Sequence, residues 1–221
     1  MNSSVKQQVH AVLIGAGGFA KECLDIIEFH NQFNPENKIH LLGIVDDFPT
    51  QTMLENKYIF NLEFIGTVDQ FNSKAEVSHN FIIAIGDTNK REKIYEQLLQ
   101  GGHHPLTVIH PNTTISSSAV IGSGSVVCAG VIIGNSAEIG VCSHVNPGAV
   151  IGHDVKVGDF VSINPNSTIS GNVIISANTL VGAGSTILQG LSVGKNSIIG
   201  AGSCVTKDIG PNRIVKGVPA K

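Results

Sequence analysis

The sequence predicts an α/β nucleotide-binding domain followed by a parallel β-helix, and three observations predict it. From Ile115 to Val205 every sixth residue is Ile or Val, without one inserted or missing residue. Ahead of that run, a short apolar segment, Val9 to Ile14, ends in the glycine-rich turn Gly15-Ala16-Gly17-Gly18-Phe19-Ala20 and leads into helically spaced residues. The two halves differ so much in character that 221 residues divide better into two domains, 1–106 and 107–221, than into one.

In the first half, strand, glycine turn and helix follow in order, the helix running from Lys21 to Asn31 with Cys23, Ile26 and Ile27 on one side. Gly15, Gly17 and Ala20 have the spacing that lets a phosphate approach backbone N–H groups at a helix N-terminus. A second strand, Leu41 to Val45, ends in Asp46-Asp47, where a carboxylate can accept a hydrogen bond from a ribose or a base. A third, Phe81 to Ile85, ends in Gly86-Asp87 before a helix from Thr88 to Gln100. A dinucleotide site needs two such mononucleotide halves, and only about 100 residues precede the repeat, so this is a half-Rossmann unit for one nucleotide. Thr107 to Pro111 hands the chain on, with Pro111 forcing His110 into an extended conformation.

In the second half, a six-residue period fits neither a strand nor a helix; it fits hexapeptide coils, three hexads closing one triangular turn. The residue after the aliphatic position is small or turn-forming almost throughout (Gly122, Gly140, Asn146, Gly158, Gly182, Gly194), and the fourth is mostly small or β-branched (Ala119, Ser125, Ser143, Thr179, Ser203). Stacked coils hide one another's apolar interior, as a single coil cannot. Fifteen hexads make five coils, a prism about 24 Å tall at roughly 4.8 Å per coil.

With its closing Gly217-Val218-Pro219-Ala220-Lys221, this pattern resembles the left-handed parallel β-helix acyltransferases, and within them the sugar acetyltransferases that N-acetylate nucleotide-linked amino sugars or O-acetylate sialic acid. The left hand of the helix comes from that resemblance. It further implies acetyl-CoA as co-substrate, no metal, and a homotrimer whose active sites lie between subunits. Gly17, Gly18, Phe19, Asp46, Asp47 and Gly86 match the family's nucleotide-sugar contacts, and Asn146 a position near the sugar amine. His153, in Gly152-His153-Asp154, matches the general base, paired with Asp154. Cofactor contacts fall on Ser162, Gly171, Ala183 and Ala201, with Gly171 as N–H donor near the thioester oxygen. Ser162 departs from relatives that carry a second His there.

The residues support this chemistry independently. His153 follows the inward Ile151 by two positions, at a bend, so its ring should face outward. Neutral imidazole titrates close enough to pH 7 to take the proton of an amine attacking a thioester, and a neighbouring carboxylate fixes its tautomer. The expected activity is N-acetylation of a 4-amino-4,6-dideoxy sugar carried on UDP or dTDP, by direct attack, in bacterial glycan or O-antigen assembly. Sugar O-acetylation needs the same base and is the runner-up. A zinc site needs three histidines where the repeat offers only His144 and His153. His103 and His104, after Gly101-Gly102, read as solvated.

Net charge −3 with 14% charged residues leaves no basic footprint for nucleic acid. No run reaches the roughly 18 apolar residues of a membrane span, and Met1 to Gln8 lacks an apolar signal region. Cys23, Cys128, Cys142 and Cys204 show no paired spacing and read as reduced, in a cytoplasmic chain.

Overall fold

The computed structural model describes residues 8–49, 51, 61–74 and 77–221. Its first part comprises β1 (Val9–Ile14), α1 (Gly18–Phe33), β2 (Ile39–Val45), β3 (Phe64–Gly66), α2 (Val68–Lys74), β4 (Asn80–Ile83), α3 (Thr88–Gln100) and β5 (His104–Pro105). The strands form a parallel sheet in the order β3-β2-β1-β4-β5, so the strand order reverses between β1 and β4. Such a switch point opens a crevice at the carboxyl ends of the strands. α1 begins three residues earlier than its apolar spacing indicated, because Gly17 serves as its N-cap without any side-chain bond. α3 spans the expected residues, capped by the Asp87 side chain on Lys90 N–H at 2.9 Å.

From Val108–Ile109 onward the chain winds through two-residue strands on three faces, each strand pairing in parallel with one eighteen residues on, as Ile132 does with Val150. The first face carries Val150–Ile151, the second Lys156–Val157 and the third Ser162–Ile163, with their counterparts above and below. The Ile and Val of the six-residue period point inward and are buried from Val127 to Val205. The repeat also extends past both ends of the run read from sequence. Ile109 opens it, and Ile209, Val215 and Ala220 close it, where the pairing of Ile198 with Ile214 shows a coil shorter by two residues.

The small residues have two separate causes. A Cβ on Gly122 would stand 2.5 Å from the backbone carbon of Gly140 one coil away, so the coil spacing itself demands glycine. Inside, Ser125, Ser143, Ser167 and Ser185 donate to the carbonyls of Gly140, Gly158, Gly182 and Gly200 at 2.8 to 3.0 Å. A dry core accepts hydroxyls only when they are bonded in this way.

α3 joins the two parts. The Arg91 side chain, 0% exposed, donates to the carbonyls of Ile85 and Gly86 in the first domain and of Cys142 and Phe160 in the β-helix, and to Ser162 Oγ. Burial lowers its pKa to about 10, so it stays charged at neutral pH. Thr88 and Glu92 add bonds to Asn178, and Tyr95 packs edge-on against Phe160.

The sequence reading of His103 is overturned. It is buried, stacked on Phe71 with ring centroids 4.6 Å apart, and its Nδ1 accepts from His79 N–H, because the Gly101-Gly102 turn folds the chain back under α2. His104 is exposed as expected.

Arg91→Ala removes a buried cation together with every donor it supplies. We expect a loss of about 3–5 kcal/mol in urea unfolding, against less than about 0.5 kcal/mol for Arg213→Ala on the surface. Burial also lowers the pKa of His103, His110 and His144 below their usual 6.5. The unfolded chain therefore takes up protons first as pH falls, and stability is complete above about pH 6.5 and declines below it. The urea midpoint should be flat from about pH 7 to 8 and drop toward pH 5, less steeply in His144→Gln.

Candidate active site

Two clusters carry chemistry, and they sit on opposite sides of the prism. The first is a cleft of about 570 Å³ at the switch point, lined by Gly15, Gly17, Gly18 and Phe19 after β1, by Asp46, Asp47 and Phe48 after β2, and by Gly86, Lys90 and Lys93 around the start of α3. Gly15 is fixed by the fold, with φ +102° and only 2.9 Å between the place a methyl would take and Ile85 Cγ1. Around Gly17, Gly18 and Gly86, by contrast, no atom of the described residues beyond their chain neighbours lies within 4 Å of such a methyl, so these three leave backbone open toward the cleft. With no side-chain cap, the first N–H groups of α1 face the same space.

The two aspartates are less free than their sequence position suggested. Asp46 accepts from Ala16 N–H and from Phe48 N–H, both at 2.7 Å, one with each oxygen. Asp47 Oδ1 accepts from Val68 N–H at 2.8 Å, at the start of α2. Asp46 thus braces the glycine turn, while the other oxygen of Asp47 has no hydrogen bond among the described residues. Phe19 lies half-buried and stacks on His144 of the third face, centroids 4.3 Å apart; His144 is itself buried, its Nε2 bonded to Ile83 O at 3.0 Å. Phe48, 83% exposed at the cleft, and the two lysines were missed by sequence reasoning. A spacing of three between Lys90 and Lys93 on a helix that follows Gly86 was the available signal.

The second cluster is the vertex between the first and second faces. His153 projects outward there, its side chain 64% exposed, and Nδ1 lies 2.7 Å from Asp154 Oδ2. Asp154 has φ 57°, a left-handed conformation that Asp tolerates better than most residues, and this swings its carboxylate beside the ring. With Nδ1–H donated to a carboxylate, Nε2 is left as the free acceptor, the state a general base requires. Gly171 stacks one coil further along at the same vertex. A methyl on it would stand 2.5 Å from His153 Nε2, so the absent side chain keeps that nitrogen clear. Gly171 N–H makes no bond in the coil ladder.

The remaining expected residues divide. Ala183 and Ala201 are exposed, but at the vertex between the third and first faces. Ser162 departs from expectation: 3% exposed, its hydroxyl accepts from Arg91 at 3.0 Å inside the seam between the two parts, away from any open groove of this chain. Asn146 is nearly buried, and its amide donates to Ile163 O and Asn164 Oδ1 in the corner ladder. Among the described residues no three His, Cys, Asp or Glu side chains are grouped to hold a metal ion, and no helix is long and apolar enough to cross a membrane.

A nucleotide-type cleft mounted on a hexapeptide β-helix with an outward His–Asp pair defines the class. Residues 10–98 match the family model described as the PglD N-terminal domain. The chain is 31% identical over 122 residues to a GDP-perosamine N-acetyltransferase of Escherichia coli O157:H7, covering 55% of this chain and 52% of that protein, and so spans about half the length of that curated relative. Over 96% of its length it superposes on 95% of a histidine-to-asparagine mutant of perosamine N-acetyltransferase from Caulobacter crescentus, solved in complex with CoA and GDP-perosamine, with TM-score 0.82 and 29% identity. The acetyltransferase domain of PglB from Neisseria gonorrhoeae, solved with acetyl coenzyme A, matches equally well: TM-score 0.82, 29% identity, 97% of this chain and 99% of that one. Over nearly its whole length the chain is thus similar to sugar N-acetyltransferases of the hexapeptide-repeat kind.

Gly171→Ala should displace the His153 ring while leaving the coil intact. We expect kcat for acetyl transfer to fall by at least ~10-fold, with an unchanged melting temperature as the control for folding.

Proposed function

We propose that this chain transfers the acetyl group of acetyl-CoA to the amine of a nucleotide-linked 4-amino-4,6-dideoxy sugar, with His153 as general base. The observation that carries the reading is the exposed imidazole held by Asp154 through Nδ1, with Nε2 kept open by Gly171. The amine attacks the thioester carbon directly. Nε2 takes the amine proton, Gly171 N–H offers a donor to the developing oxyanion, and the thiolate leaves with its charge balanced by the imidazolium. Restricting the nucleotide to UDP or dTDP is too narrow a starting point, since relatives use GDP-perosamine; GDP belongs in the same substrate panel. A role in bacterial glycan or O-antigen assembly follows from the sugar class.

The site is built from two chains of a homotrimer. Phe19 of the cleft rests on the third face, and α3 is docked at the vertex between the second and third faces. His153 stands at the one vertex that the third face does not touch. The base of a chain therefore stands at the vertex away from the face on which its own cleft rests. A neighbour's cleft brought to His153 by threefold symmetry resolves this, and it would also bring Ala183 and Ala201 of one prism alongside Gly171 of the next, forming a groove for the cofactor.

His153→Ala is expected to lower kcat by at least ~10²-fold without loss of the trimer. Mixing that variant with the cleft-blocking Gly18→Trp, each inactive alone, should restore about a quarter of the wild-type rate after subunit exchange, because a quarter of randomly paired sites then hold one intact half from each chain. Absence of any recovery, with exchange verified by mass, would place base and cleft in the same chain. Near-normal turnover by His153→Ala would remove it from the mechanism.

A further inference from the structure

The glycine turn and the aspartates leave one wall of the cleft unexplained. Lys90 and Lys93 of α3 both line it, and three residues apart they occupy the same side of the helix. Among the described residues the ion pairs are His153 with Asp154 and Lys156 with Glu138, so neither lysine is neutralised by a carboxylate. Of the acidic neighbours on α3, Asp87 caps Lys90 N–H, Glu92 accepts from Asn178 at 2.8 Å, and Glu96, three residues beyond Lys93, forms no ion pair with it among the described residues. Asp46 and Asp47 line the same cleft, yet three of their four oxygens hold backbone N–H groups. Beneath, the buried Arg91 donates to Ile85 O and Gly86 O and adds a third positive charge without an ion-pair partner. Like charges a turn apart repel one another, and an anion bound between them relieves that cost. Gly17 and Gly18, with no atom of the described residues beyond their chain neighbours within 4 Å of a methyl position, leave room for that anion at the uncapped start of α1.

We propose that Lys90 and Lys93 form a diphosphate clamp, one ammonium to each phosphate of the nucleoside diphosphate sugar. This directs the nucleoside toward Asp47 and the exposed Phe48 ring and the sugar away from α3. The proposal rests on the nucleotide reading above and adds the residues that count phosphates. Charge-assisted bonds of this kind should make each of Lys90→Met and Lys93→Met raise KM for the nucleotide sugar by about 5- to 10-fold, and the double variant by more, with kcat at saturation and KM for acetyl-CoA retained. The preference of the wild type for UDP or GDP over the corresponding monophosphate, read as inhibition constants, should collapse in the double variant, and the salt dependence of kcat/KM should flatten. An unchanged KM and an unchanged diphosphate preference in a folded double variant would overturn the clamp, and so would a loss confined to kcat. The two readings fail separately. A wild type that acetylates no nucleotide amino sugar but whose lysines still govern UDP or GDP binding would sink the reaction and keep the clamp; normal turnover with indifferent lysines would do the reverse.

Discussion

A single buried cation determines how the two parts of this protein meet. Arg91 has no carboxylate within ion-pair distance, and it spends its donors on carbonyls from the cleft wall, from two successive coils and on one serine hydroxyl. Replacing such a group with packed apolar atoms is often neutral or favourable for stability, so its presence is better understood as a constraint on geometry. Planar guanidinium bonding fixes direction as well as distance. Gly86, on the cleft, is thereby held in register with Phe160 and Cys142 on the β-helix. Since the coils are rigidly stacked, the position of every outward residue on the prism is then fixed relative to the cleft.

That rigidity also explains how an exposed pair is held in one geometry. His153 and Asp154 lie outside the core, where side chains ordinarily wander. Here the ring is flanked by Gly171, one coil away, and the carboxylate is aimed by a left-handed corner residue whose backbone N–H is bonded to Asn135 O at 2.9 Å. The site obtains its precision from backbone repetition more than from side-chain packing.

What could be read from sequence follows the same division. The hexads announce themselves because an interior position recurs with a fixed period, and an outward vertex residue such as His153 can be counted from Ile151. The strand, turn and helix of the first domain are legible for a related reason: Gly15 and Asp87 act locally. Contacts between distant segments leave no such trace. Nothing near Arg91 in the chain signals that Cys142, Phe160 and Ser162 will surround it, and so a hydroxyl expected along a cofactor groove turns out to be buried in the seam. His103 was misjudged because its turn is polar locally while α2, far earlier in the chain, covers it. Lys90 and Lys93 carry no local signal of a ligand, because only the strand order places that face of α3 at the switch point.

The same burial bears on the choice, in the mechanism proposed above, between direct attack and a cysteine-borne acyl-enzyme. An acyl-enzyme would need an accessible nucleophile beside His153. Burial pushes the thiols of Cys128 and Cys142 up to about 12 and raises that of Cys23 as well, so none of these is a thiolate at neutral pH. Cys204 lies on the first face three coils beyond Ile151, on the order of 14 Å along the prism. At the other two vertices Ser143 and Ser167 face inward and donate to backbone carbonyls, while Ser136 and Ser170, at the vertex of His153, are not buried. The buried thiols thus leave no thiolate beside the imidazole, which favours direct attack by the amine over a thioester intermediate on the protein in the mechanism proposed above. In that proposal the sugar and the thioester are held together at once, by a cleft from one chain and a vertex from the next.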